Sequence, residues 1–289
     1  MKFKQTLIIF LFIILLSSCA GKEPVDFDGQ KAFEYAKTQV EFGPRIPGGE
    51  AHQSTVDYMI SELEKNGWET EIQTDQINDY TLKNVIGYRN TQNKTPWIIL
   101  AAHYDSRFFA DNDPDPNNRL TPVIGANDGA SGVAVLLELS RIIPKDLSKN
   151  VWLVFFDFED QGNIENWDWI LGSRSFANQL EGRPDSVIIV DMIGDKDLNI
   201  HYERNSDFDL QQEIWSIAKE LGYEQFFIPE YKYSILDDHI PFIEKGITAI
   251  DIIDFDYEYW HTTEDTLDKI SPESLEIVGR TIFHWLLVP

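Results

Sequence analysis

The period of the apolar positions changes along the chain, and each change marks a predicted element. Over 30–42 and 52–66 apolar residues recur at helical spacing, and the second run stops at Gly67, a common helix terminator. Segments 69–75 and 82–88 alternate apolar with polar and predict two half-buried strands, paired as a hairpin. Runs 97–102 and 151–156 are continuously apolar, as strands buried on both faces are, and 187–190 and Ala249–Ile253 read as further strands. Helical patterns separate them, at Ala130–Ile142, 173–179, 210–221 and Pro272–Leu287. Buried strands alternating with helices predict an α/β sheet covered by helices on both faces.

Composition narrows the class. At 289 residues the chain suits one large domain, and no repeat, low-complexity stretch or Gly-, Ser- or Pro-rich linker divides it. Hydrophobic content of 43% and charged content of 25% exclude a disordered chain, a coiled coil and a multi-spanning membrane protein. Aromatics at 13%, with eight Trp, stock a core and supply walls for a pocket. Lys plus Arg number 24 against 49 Asp plus Glu, a net charge of −25, and a field of that sign repels phosphate backbones; nucleic acid is not an expected partner.

The first residues carry an address. Lys2 and Lys4 precede an unbroken apolar run from Leu7 to Leu16, too short for the roughly 20 residues that span a bilayer. Leu16-Ser17-Ser18-Cys19 follows, and this segment resembles a bacterial lipoprotein signal in which the Cys is lipidated. Residues 1–18 then form the signal, 19–28 a lipidated tether and 29–289 the folded domain. The expected location is the bacterial cell envelope, membrane-attached through the lipid. Cys19 is the only Cys, so the domain has no thiol for a disulfide or a cysteine nucleophile.

The chemistry-bearing residues sit where the strands stop. The 97–102 run leads into His103-Tyr104-Asp105, the 151–156 run into Asp157-Phe158-Glu159-Asp160, and the 187–190 run into Asp191. The last strand is followed after a short loop by Trp260-His261, and Gly125–Gly132, with Asp128 inside it, opens a helix. Ligands of open α/β sheets bind outside the carboxyl ends of the strands, so these groups converge. Several like charges in one crevice call for a cation. Imidazole plus carboxylate without thiolate suits zinc, and adjacent Glu159-Asp160 allows one carboxylate to bind metal while the other serves as a base. The stretch 111–118 (DNDPDPNN) reads as a surface loop whose carboxylates also suit calcium.

In order, HYDS, GANDGASG, FFDFEDQG, LGSRSFA, DMIGD, LDDHIPF and WHTTEDT, with Phe42-Gly43-Pro44-Arg45 and Pro47-Gly48-Gly49 ahead of them, resemble the family of co-catalytic zinc aminopeptidases and animal-type glutaminyl-peptide cyclotransferases. The resemblance runs from about residue 30 to the end and implies a phosphorylase/hydrolase-like α/β fold with a mixed, mostly parallel sheet flanked by helices. It assigns Asp128, Asp160 and His261 to one zinc, Glu159 to the general base, and His103 with Asp191 to a second zinc where one is present. Asp160 stands where many members have Glu. LDDHIPF and Trp260-His261 look most like the cyclotransferase branch. There Asp237 and Asp191 share a proton with Glu159, and Trp260, with Trp167 or Trp169, walls the pocket. The expected activity is cyclisation of N-terminal Gln on peptides or proteins with one zinc; the alternative is aminopeptidase hydrolysis with two.

Overall fold

Caps in the sequence fix several helix starts in the computed structural model, which describes residues 25–89, 96–164 and 166–288. Asp28 accepts from the Lys31 amide at the head of α1 (Gly29–Phe42), and Gly43 ends that helix at φ 103°, a conformation Gly adopts without steric cost. Ser271 with Pro272 starts α7 (Pro272–Leu287), and Asp207 caps α5 (Phe208–Glu220). Between them come α2 (Glu50–Lys65), α3 (Ala130–Ile142), α4 (Leu171–Gln179) and the short α6 (Ile240–Glu244).

The main sheet has six strands in the order β1 (Glu69–Ile77), β2 (Tyr80–Tyr88), β4 (Asn150–Phe156), β3 (Trp97–His103), β5 (Ser186–Asp191) and β8 (Ala249–Ile253). β4, β3, β5 and β8 run parallel, while β1 and β2 pair antiparallel as a hairpin on one edge. The hairpin is longer than its alternation predicts, because its turn needs only Asn78 and Asp79, with Asn78 at φ 52°, where Asn is tolerated. Alternate residues of β3 serve two cores. Ile98, Leu100 and Ala102 pack with α1, α2, α3, α5 and α7, whereas Ile99 and Ala101 pack on the face that receives Phe176 of α4 and Phe242 of α6. That double burial is why the strand shows no alternation.

Two strands escape the sequence patterns: β6 (Ile200–Glu203) and β7 (Phe227–Tyr233) pair in parallel as a separate ribbon. β7 contains Pro229, Glu230 and Lys232 and is largely exposed, so it carries neither apolar signature. The ribbon matters because β7 leads into 234–239, a rim of the site described next.

The order of the central strands also places a crevice. From β3 the chain goes through α3 to β4 on one side, and then crosses to β5 on the other. A reversal of this kind opens a cleft at the carboxyl end of the strand between, here β3.

Candidate metal and catalytic site

His103 is the last residue of β3, 1% exposed. Its Nε2 lies 3.0 Å from Asp128 Oδ1 and 3.1 Å from Oδ1 of Asp191, the last residue of β5. Its Nδ1 faces Asp105 at 3.5 Å. Asp105 also accepts from the amides of Glu159 and Asp160 and from Gln161 Nε2, so it ties the turn after β4 to the end of β3. The first residue past Asp128 must be Gly: a Cβ on Gly129 would come within 2.5 Å of the His103 carbonyl oxygen and 2.7 Å of its ring. Asp128 is further fixed by Asp265, which accepts from the Asn127 and Asp128 amides, and by the buried Arg45, which donates to carbonyls of Tyr104, Ile124 and Gly125.

On the other side of Asp128, His261 Nε2 stands 2.7 Å from Asp160 Oδ1 and 3.7 Å from Asp128 Oδ2. The shorter Asp at 160 therefore still reaches the imidazole. Two sets result, His103–Asp128–Asp191 and Asp128–Asp160–His261, each with candidate ligand atoms within 4.8 Å of one another, and Asp128 common to both. Asp128 Oδ2 and Asp160 Oδ2 are buried with no hydrogen-bond partner. Buried carboxylate oxygens without donors are costly, and a cation between them and the imidazole satisfies both; the residues fit a metal with mixed nitrogen and oxygen ligands.

A cavity of about 310 Å³ opens over these groups. Asp128, Glu159, Asp160, Asp191 and Asp237 lie on its lining, with Trp169, Tyr233, Ile235, Phe255 and Trp260 among the walls. Trp260 stacks on His261 with centroids 3.9 Å apart, and Trp169 lies nearly parallel to the same ring at 5.9 Å. Arg107 packs over Trp169, donates to the Asp160 carbonyl at 2.8 Å and grips Asp111 with two hydrogen bonds. The rim 234–239 is anchored by buried Glu203, which accepts from the Ile235 amide and lies 3.2 Å from His239 Nε2.

Burial sets the proton affinities of this floor. It pushes Glu159 well above the usual carboxylate range; the charge of His103 opposes the shift, and those of Asp237 and Asp160 add to it. Burial likewise lifts Asp191 to about 7, against the pull of His103, and Asp160 to about 6, helped by Asp128. For His261 burial acts downward, but Asp160, Asp111 and Asp128 together outweigh it and hold the ring at about 9. A carboxyl raised toward neutrality is what a general base at neutral pH requires.

Nearly all the residues singled out in the sequence meet here: Asp128, Asp160, His261, His103, Asp191, Glu159, Asp237, Trp260 and Trp169. Trp167 does not join them. It is buried against Leu82 and Phe158, edge-on to Tyr80 at 5.3 Å, and supports the loop from below while Trp169 faces the cavity. Cys19 lies outside the described residues. The supports Arg45, Asp105, Arg107 and Asp265 went unassigned in the sequence, although three of them stand inside its motifs. Asp251 in β8 was also passed over; it is fully buried, and burial followed by Asp237 drives its carboxyl well up. A lone acid in an apolar strand was its signal.

Residues 84–286 match the model of peptidase family M28. The chain is 26% identical to a glutaminyl-peptide cyclotransferase of Bos taurus over 296 residues, 86% of this chain and 78% of that one. Among solved structures, a Zn-dependent exopeptidase from Parabacteroides distasonis superposes with a TM-score of 0.88 at 32% identity, over 92% of this chain and all of that one. The glutaminyl cyclase of Porphyromonas gingivalis superposes at 0.85 and 33% identity, over 91% and 99%.

Proposed function

Since the chain belongs to peptidase family M28, we propose that it is a zinc-dependent glutaminyl-peptide cyclotransferase, converting the N-terminal Gln of peptides or proteins to pyroglutamate with release of ammonia. The observation that carries the reading is the pairing of a raised, buried Glu159 with Asp237 and Asp191 on one aromatic-walled cavity. The likeness to glutaminyl cyclases supports it. Asp128, Asp160 and His261 would hold one zinc, which supplies positive charge to polarise the γ-carbonyl of the substrate Gln. Glu159 takes a proton from the substrate α-amine as its nitrogen attacks the γ-carbonyl carbon. The same carboxyl returns that proton to the amide nitrogen as its bond to carbon breaks, and ammonia leaves. Asp191 and Asp237 share the proton load of Glu159 in this reading, while Trp260 and Trp169 hold the side chain and keep water out. A free amine within about 3–3.5 Å of its target is the geometry cyclisation needs.

A second reading rests on the His103–Asp128–Asp191 set, which could hold a second zinc through the shared Asp128. Water is then the nucleophile, Glu159 is its base, and the activity is that of an aminopeptidase. Zinc stoichiometry combined with a paired assay separates them. Cyclisation expects one zinc per chain, ammonia from Gln-peptides and negligible amino acid released from Leu-peptides. Two tight zincs and brisk Leu-peptide hydrolysis, without ammonia from Gln-peptides, favour the peptidase instead.

The reading includes an address: Cys19 as a lipidated N-terminus that follows a signal at 1–18 and fastens the domain to the cell-envelope membrane through the 19–28 tether. Leu16-Ser17-Ser18-Cys19 behind the short apolar run supports it. The wild-type protein should fractionate with membranes and Cys19→Ser should not; a wholly soluble wild type without lipid mass removes this part.

A further inference from the structure

Segment 111–118 reads in the sequence as a surface loop and takes no part in the reaction above, yet its first residues grip the chain that carries His261. Asp113 is 2% exposed, and both of its carboxylate oxygens are engaged. Oδ2 accepts from the Thr263 amide at 2.9 Å and the Thr263 hydroxyl at 2.5 Å, while Oδ1 accepts from the Asp115 amide and Asn118 Nδ2. The oxygens that a calcium ion would take are already accepting N–H and O–H donors. The neighbouring Asn112 amide donates to the His261 carbonyl at 3.1 Å. Asp111 Oδ1 lies 3.5 Å from His261 Nδ1, the ring nitrogen that does not face Asp160 and Asp128.

His261 needs such a grip. Its φ is +57°, a left-handed backbone uncommon for any residue other than Gly. It also sits in a connection well past the end of β8, where no sheet ladder holds it. With zinc bound, an acceptor at Nδ1 would keep the proton there and leave the Nε2 lone pair for the metal.

We infer that Asp113 and Asp111 are positioning residues for His261, Asp113 fixing its backbone through Thr263 and Asp111 fixing its tautomer and ring direction. The 111–118 loop is a brace for a ligand rather than a calcium site. The inference rests on the reading of His261 as a zinc ligand, and the experiment keeps the two apart. Zinc dissociation constants of the purified full chain are measured by chelator competition, beside apo-protein melting, kcat and KM, for wild type, Asp113→Asn, Asp111→Asn, Asp115→Ala and His261→Ala. Asn at 113 turns an amide N–H toward donors, and Asn at 111 removes the charge beside His261 Nδ1 together with half of the fork to Arg107, a loss that the apo-protein melting reads separately. Both should weaken zinc binding by about 10- to 100-fold and lower kcat at subsaturating zinc with KM little changed. Asp115→Ala keeps the amide that Asp113 uses and should match wild type. If His261→Ala loses zinc while both Asn variants retain wild-type affinity, or lose only apo-protein melting temperature, the inference is overturned alone. If His261→Ala retains full zinc, the ligand reading falls and the inference with it.

Discussion

The two candidate ligand sets share Asp128 but are built by different means. His103 and Asp191 are the final residues of adjacent parallel strands, and the sheet ladder orders them, His103 in register with Phe156 of β4 and Asp191 with Ile253 of β8. Asp160 and His261 lie beyond their strands, and His261 has a left-handed backbone. Side chains do there what the ladder does for the first set: Asp105 holds the Asp160 amide, Arg107 its carbonyl, and two tryptophans flank the imidazole. One half of the site is thus a property of the fold. The other half depends on individual contacts, and single substitutions away from the ligands should reach it.

The strongest way to break this comparison is to remove what the halves share. On the proposed reading Asp128→Asn, like His261→Ala, reduces zinc from one per chain to none and abolishes turnover, whereas His103→Ala retains the ion and loses only rate. Metal analysis of the three purified variants checks this. Two zincs in the wild type, with one lost in each His variant, would make the halves equivalent. Next, Glu159→Gln keeps size and polarity without proton transfer; kcat for Gln-peptides should fall by a factor on the order of 10²–10⁴ with zinc retained. Unchanged turnover at neutral pH would deny it the base role.

A smaller pair of effects separates the neighbouring tryptophans. Trp167→Ala should cost about 3–5 kcal/mol of stability, as large aromatic truncations in a packed cluster do, with KM unchanged in the folded fraction. Trp169→Ala should raise KM several-fold with a much smaller loss in melting temperature. Equal melting losses and unchanged KM for both would place neither on the substrate. Smallest is Arg107→Lys, which keeps the charge but loses the planar fork to Asp111. A loss of about 1–3 kcal/mol, read by denaturant unfolding, together with weaker zinc binding is expected. An equivalent change that left zinc affinity intact would confine Arg107 to stability.

Much of this was legible in the sequence, for reasons that differ by element. The cores of β3 and β4 announce themselves because burial on both faces leaves no room for polar residues, and α7 because Ser271-Pro272 starts it unambiguously. The ribbon of β6 and β7 stayed hidden because short, exposed, polar strands carry no period. Convergence of Asp128, Asp160, His103, Asp191 and His261 followed from the rule that strand ends gather ligands. The choice between Trp167 and Trp169 did not, since both lie in an irregular loop, between left-handed Asn166 and Ile170, where no period marks the buried side. Arg45 and Asp265 act across long stretches of chain, on carbonyls and amides that no local pattern records.

The first helix gives the molecule a built-in standoff. Asp26 pairs with Arg280, the Asp28 amide meets Glu138 in α3, and α1 then runs 14 residues before Arg45 reaches the floor of the cleft. At 1.5 Å per residue that rod is about 21 Å long. Whatever is attached ahead of residue 25, whether an acyl chain, an affinity handle or a bead, meets the domain a helix length from the cavity. Surface immobilisation through the N-terminus should therefore keep the support away from the cavity, and turnover by the attached protein should match that of the free one.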